Sequence, residues 1–161
     1  MNYQYYYRCY SSASAGGMRS GSYDYEPNHP DLSEEELLDQ FDNHRNKNTK
    51  RHTALVSVTK RPLEALNRAL NKYHADGEEP AGIWIICIRA PNSKGPNQKS
   101  PHHAQVLAQR LGLAPEESRK FRHEYLFEWE IPRGYHLRTV SLRTLLNRGI
   151  EELMPLNYTA Q

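Results

Sequence analysis

The chain has 161 residues, which suits one domain around one core, and its net charge of +2 lies too near balance to argue for a nucleic-acid or anionic-membrane partner. No apolar run approaches the roughly eighteen residues of a membrane span, and Met1 to Tyr10 holds no apolar leader region. Cys9 and Cys87 stand far apart and form no metal or redox motif, which fits a reducing compartment.

Residues 3–10, reading Tyr-Gln-Tyr-Tyr-Tyr-Arg-Cys-Tyr, have the aromatic content of a strand. A loop of small residues follows from Ser11 to Gly21, and the irregular stretch after it ends near Asn28-His29-Pro30. Ser33 and Glu36 form a capping box that opens a helix carrying Leu37, Leu38 and Phe41 on one side. Residues 45–52 are basic and polar and read as a loop. Ala54 to Thr59 is the next strand; Pro62 then starts a helix whose Leu63, Leu66, Leu70 and Tyr73 keep helical spacing to His74, before Asp76-Gly77 closes it. Ile83 to Ile88 is apolar on both faces and reads as a central strand. Residues 90–100 read as a loop, and Ser100-Pro101 starts a helix that Gly112 stops.

The stretch from Arg122 to Pro132 carries the most information. His123, Tyr125, Phe127, Trp129 and Ile131 alternate with Glu124, Leu126, Glu128 and Glu130, a period-two pattern that predicts a strand with one apolar face and one face of carboxylates. A carboxylate on a strand is placed more accurately than one on a loop, and catalysis needs that accuracy. An ordinary strand with a solvated acidic face has the same pattern. A short strand near 135–140 and a helix from Ser141 to Arg148 complete the series, which suggests an α+β domain over residues 1–155 with a loose tail at 156–161.

Two other strands carry polar residues suited to a ligand. Arg8 shares a face with Tyr6 and Tyr10, and its planar fork suits phosphate or carboxylate; a solvated edge-strand arginine is the plainer alternative. Ser57 and Thr59 share a face opposite Val56 and Val58. His102 and His103, adjacent at a helix start, point in different directions and read as two exposed histidines, so no metal cluster is expected.

This order of strand motifs resembles the mono-ADP-ribosyltransferase toxins, in their pertussis-like and cholera-like branch. Tyr7-Arg8, the strand Leu55-Val56-Ser57-Val58-Thr59 followed by a helix, and His123-Glu124-Tyr125-Leu126 followed by Ile131-Pro132 stand where that family has its arginine, serine and glutamate motifs. Gly21, with Tyr23 and Tyr25 after it, is similar to the family's glycine-aromatic turn. Residues 5–145 also resemble a poorly characterised domain of filamentous-fungal proteins, marked by the same Glu-Tyr-Leu strand. The resemblance implies an α+β domain of the ADP-ribosyltransferase type, with mixed sheets flanked by short helices. It implies toxin-like or effector activity with NAD as co-substrate and no metal: a transferase, or a glycohydrolase that cleaves the nicotinamide–ribose bond.

In that reading Arg8, Ser57 and Glu124 are the catalytic set, lining one cleft. Arg8, Tyr23, Tyr25, His44, Ser57 and Thr59 bind NAD, with Tyr23 or Tyr25 near the nicotinamide. His44 reads equally as a plain helix-end histidine, favourable to the dipole. The chemistry suits these residue types, since breaking that bond passes through an oxocarbenium-like state that a carboxylate stabilises. Two departures from the family stand out. Arg122 occupies the place of the Gln or Glu that positions the acceptor, and Ser-Val-Thr replaces Ser-Thr-Ser. They favour an alternative, a non-catalytic member of the fold that binds a protein or nucleotide. A nucleic-acid module, drawing on the tyrosine-rich start and the basic loop Arg45 to Arg51, is the third reading. The partners expected are NAD and a macromolecular acceptor, taken to be protein, with no membrane and no nucleic acid. The chain is expected to act as a monomer in the cytoplasm, with export by another route left open.

Overall fold

The computed structural model describes residues 2–12, 17–24, 29–46, 52–92 and 98–153. Tyr25, the basic residues 47–51 and the tail at 156–161 lie outside them. In chain order the elements are β1 (Tyr3–Ser11), α1 (Glu34–Arg45), β2 (Leu55–Thr59), α2 (Pro62–His74), β3 (Ile83–Pro91), β4 (His102–His103), α3 (Ala104–Arg110), α4 (Pro115–Arg119), β5 (Glu124–Glu128), β6 (His136–Ser141) and α5 (Leu142–Arg148). The strands form one sheet of six in the order β4-β5-β2-β1-β3-β6, and the pairings described are all antiparallel.

Local chemistry accounts for several boundaries. Ser33 accepts a hydrogen bond from the Glu36 amide while the Glu36 carboxylate accepts one from the Ser33 amide, so the capping box satisfies two donors at the start of α1. Pro62 takes the first turn of α2, where no helical N–H is needed. Gly77, just past α2, adopts φ 70°, which glycine does without a Cβ penalty. α4 follows the same logic: Pro115 opens it, Glu116 and Glu117 sit in its first turn, and Arg119 in its last. That proline-acidic signal was present in the sequence beside the loop after Gly112.

β1 and β3 pair over their whole length, from Tyr3 opposite Pro91 to Ser11 opposite Ile83. β2 and β5 pair from Leu55 opposite Glu128 to Thr59 opposite Glu124. β1 and β2, by contrast, meet at one register position, Tyr7 opposite Thr59. The sheet therefore parts between β1 and β2 on one side of that pair, and the parting decides where the polar residues go.

The helices pack on one face of the sheet. Tyr7, Ile83, Ile85 and Cys87 meet Ala65 and Ala69 of α2 and Leu142 and Leu145 of α5. Leu55 and Leu126 meet Leu37 and Phe41 of α1 and Leu107 of α3. On the other face Tyr6, Val56, Val58, Ile86, Ile88 and Phe127 pack with Ile131 and Met18 from loops.

Three sequence expectations are corrected here. β5 ends at Glu128, and Trp129 turns out of it with φ 66°, so the alternation from His123 to Ile131 is not one strand. Leu126 and Phe127 are both buried, because α1 and α3 cover the face expected to be solvated and acidic. His102 and His103 form β4 rather than a helix start, and α3 begins at Ala104. Neither histidine is exposed, because pairing with β5 brings His102 to Glu128 and lays His103 on Tyr125.

Candidate active site

Register builds the centre of the site. Thr59 lies opposite Glu124 and Ser57 opposite Leu126, so all four side chains leave the same sheet face. Ser57 reaches diagonally and donates its hydroxyl to Glu124 Oε1 at 2.8 Å. His44, in the last turn of α1, brings Nε2 to 3.6 Å from the same oxygen. Its Nδ1 lies 3.3 Å from Thr53 Oγ1. The helix end expected to favour His44 through the dipole thus also sets it beside the carboxylate.

The Glu124 side chain is 19% exposed. Burial pushes its pKa up, but hydrogen bonding to His44 and Ser57, with the positive charges of His44 and Arg68, outweighs that push. The carboxyl is held below its ordinary value and stays ionised near neutrality.

Arg8 arrives from a different direction. Alternation along β1 sends it to the face of Tyr6 and Tyr10, away from Ser57 and Glu124. The parting of β1 and β2 lets its guanidinium through. Nη1 donates to the Ser57 carbonyl at 2.8 Å and Nε to the Gly17 carbonyl at 2.8 Å. Arg8 thus supplies the ladder bond that β1 no longer gives β2, and it carries a fixed charge behind the serine. Burial, helped by the charge of Arg68, pushes its pKa down to about 10, so it remains protonated at neutral pH. Among the described residues Nη2 has no partner, and it is the part of the fork that could meet an anion.

The other sequence candidates are placed as follows. Thr59 is buried, donates its hydroxyl to Glu64 Oε2 at 2.8 Å and accepts from the Arg61 amide at 3.1 Å. Tyr23 is held by Arg19 over its ring at 4.8 Å and by the His29 ring at 5.9 Å. Those contacts run toward Trp129, on which His29 stacks at 4.0 Å, at the end of β5 away from Glu124. Gly21 packs closely on His52: a Cβ there would lie 2.5 Å from His52 Nδ1, so the imidazole would have to shift. Among the other carboxylates after Glu124, Glu128 accepts from the Leu32 amide and contacts His102 Nε2, both at 2.7 Å, and Glu130 faces Arg19 at 3.8 Å. A cleft of about 330 Å³ lies against Glu128, His102, Trp129 and Lys99, and Glu124 does not line it.

Sequence reasoning missed the His102–Glu128 pair and the role of Arg68. A carboxylate four residues after Glu124 was visible; its histidine partner depended on the two-residue strand β4, too short to leave a periodic signal. Among the described residues no group of three His, Cys, Asp or Glu side chains is placed to hold a metal ion, and no helix is long and apolar enough to cross a membrane.

The chain folds as a single α+β domain with one six-stranded antiparallel sheet and helices on one face. The solved structure of EcPltA, a known ADP-ribosyltransferase-type toxin, matches it with a TM-score of 0.50 at 20% sequence identity, over 86% of this chain and 75% of that chain. At that identity the likeness carries the fold alone. The chain belongs to the family described as a domain of unknown function, DUF7587, whose pattern matches residues 2–145. No curated protein matches the sequence.

Proposed function

We propose that this domain cleaves the nicotinamide–ribose bond of NAD, as an ADP-ribosyltransferase or an NAD glycohydrolase, with Glu124 as the catalytic carboxylate. The observation that carries this reading is the Ser57 hydroxyl donated to Glu124 Oε1 at 2.8 Å, with His44 on the same oxygen. Such an arrangement holds an ionised carboxylate in one rotamer, ready to face positive charge developing on the ribose. Arg8 contributes the positive charge that suits a pyrophosphate. No step of the chemistry asks for a metal, and NAD is consumed as a co-substrate.

The test is release of free nicotinamide from NAD by the purified chain. Glu124→Gln keeps the shape and removes the charge, so turnover is expected to fall by about two powers of ten or more. Glu128→Gln, at a carboxylate tied to Leu32 and His102, should cost much less. The opposite ranking moves the chemistry to the Glu128 end of β5. One observation favours a second reading, a nucleotide-binding or protein-binding domain without turnover. Arg8 already spends Nε and Nη1 on main-chain carbonyls, which leaves less of its fork for phosphate. NAD binding without nicotinamide release supports that reading.

A further inference from the structure

The cleft of about 330 Å³ against Glu128 and Trp129, at the end of β5 away from Glu124, has no part in the chemistry proposed above. One of its walls is the stretch from Gln98 to His102. Residues 98–101 belong to no helix or strand, but hydrogen bonds hold this wall at three points. The Tyr135 hydroxyl accepts from the Lys99 amide at 3.1 Å and donates to the Lys99 carbonyl at 2.9 Å. Ser100 donates its hydroxyl to the Pro91 carbonyl at 3.2 Å. His102 pairs in register with Leu126 and sets Nε2 at 2.7 Å from Glu128 Oε2. Ordering a loop costs conformational entropy, and a wall fixed this firmly is preorganised for a ligand.

The groups on offer are specific. Both Glu128 oxygens are engaged, since Oε1 accepts from the Leu32 amide at 2.7 Å. A carboxylate only accepts, so His102 Nε2 carries a proton and Nδ1 is the ring nitrogen left over. Nδ1 has no partner among the described residues. The two side chains are each 15% exposed, so the imidazole cannot turn away without stranding a partly buried carboxylate. Lys99 and Asp31 line the same cleft, both exposed, and neither has an ion-pair partner among the described residues. Opposite charges therefore face one cleft without meeting. Arg110 and Glu34, also on its edge, offset each other at 3.5 Å. The apolar part is Leu32 and the Trp129 indole, with the buried Leu37 and Phe127 beneath. Trp129 holds φ 66°, a conformation rare for so large a side chain, where β5 ends and the indole joins the cleft wall.

We propose that this cleft binds a free amino acid with an aromatic side chain. The ammonium donates to Asp31 and to His102 Nδ1, the carboxylate accepts from Lys99, and the ring packs on Leu32 and Trp129. A ligand with one charge is served less well. A plain cation meets Lys99, and a plain anion meets Asp31 and Glu128, whereas a dipolar molecule satisfies both sides at once. A peptide end carries one of the two charges and lacks the other. A nucleotide phosphate would have Lys99 alone to set against Asp31 and Glu128. The inference does not depend on the chemistry assigned to Glu124.

The experiment titrates phenylalanine, N-acetylphenylalanine, phenylalanine amide and glycine into the purified chain by calorimetry. NMR follows the indole N–H signals of its two tryptophans, Trp84 and Trp129. Phenylalanine should bind about tenfold more tightly than glycine or either single-charge analogue. It should move the Trp129 signal and leave that of Trp84 in place. Lys99→Gln and Asp31→Asn, both at exposed positions where the fold asks for no charge, should each weaken phenylalanine binding by about tenfold. Asp31→Asn should also narrow the preference for phenylalanine over its N-acetyl analogue. Equal binding of either analogue overturns the inference and gives the cleft to a peptide end. Unchanged affinity in either variant, a shift confined to Trp84, or neither heat nor shift at about 10 mM phenylalanine also overturns it.

Discussion

Glu124 shows how one side chain can be buried, charged and useful together. Desolvation opposes its charge, and two hydrogen-bonding neighbours more than cancel that cost. Because its folded pKa lies below the ordinary value of 4.5, the stability it contributes is fully present above that value. That contribution is lost as pH falls through the folded pKa. Urea unfolding of wild type and Glu124→Gln should therefore differ at pH 7 and converge as acidification carries the protein through the folded pKa, below the ordinary 4.5. Parallel curves down to pH 3 would show that the carboxylate gains nothing from its partners. Arg8 answers to a different measurement. Its bonds to the Ser57 and Gly17 carbonyls close the parting between β1 and β2, and lysine reaches one carbonyl at best. Arg8→Lys is expected to lower the unfolding free energy by about 2 kcal/mol, besides any effect on NAD. Equal stability by chemical unfolding would assign Arg8 to ligand binding alone.

At the scale of elements, α1 links the core to the site. Its capping box fixes where it starts, Leu37 and Phe41 press it onto Leu55 and Leu126, and its last turn delivers His44 to Glu124. Phe41 is fully buried and also meets the Phe121 ring edge-on at 5.3 Å, just ahead of the Glu124 turn. Phe41→Ala should cost about 3–5 kcal/mol of stability and should loosen both His44 and the segment from Phe121 that leads into Glu124. A loss of unfolding free energy without any fall in nicotinamide release would show that the site is held independently of α1. α3 and β4 do parallel work at the other end of β5, where His102 ties down Glu128.

For the whole molecule the decisive feature is the place where the sheet parts. Two well-paired units, β1 with β3 and β2 with β5, touch at Tyr7 and Thr59 and separate beside Arg8. A ligand seated at the parting touches both units and should stabilise the fold as one body. NAD at a hundred times its Kd should raise the unfolding free energy by about 2.7 kcal/mol, seen as a higher Tm. Arg8→Lys should need more NAD for the same rise. A Tm indifferent to NAD at millimolar concentration would remove NAD from the site.

Much of this architecture was legible in local chemistry. Ser33 with Glu36, Pro62, the apolar run Ile83 to Ile88 and the alternation around Tyr125 each act over a few residues, and each marks an element close to where it lies. The polar strand positions Arg8, Ser57 and Glu124 were legible for the same reason. Their relationship was not, because hydrogen-bond partners 67 residues apart, as Ser57 and Glu124 are, depend on strand order and register. Alternation alone sends Arg8 to the wrong face, and only the missing rungs between β1 and β2 bring its guanidinium to Ser57. The acidic face of β5 looked solvated because periodicity reports which residues share a face. What covers that face is decided by where α1 and α3 pack.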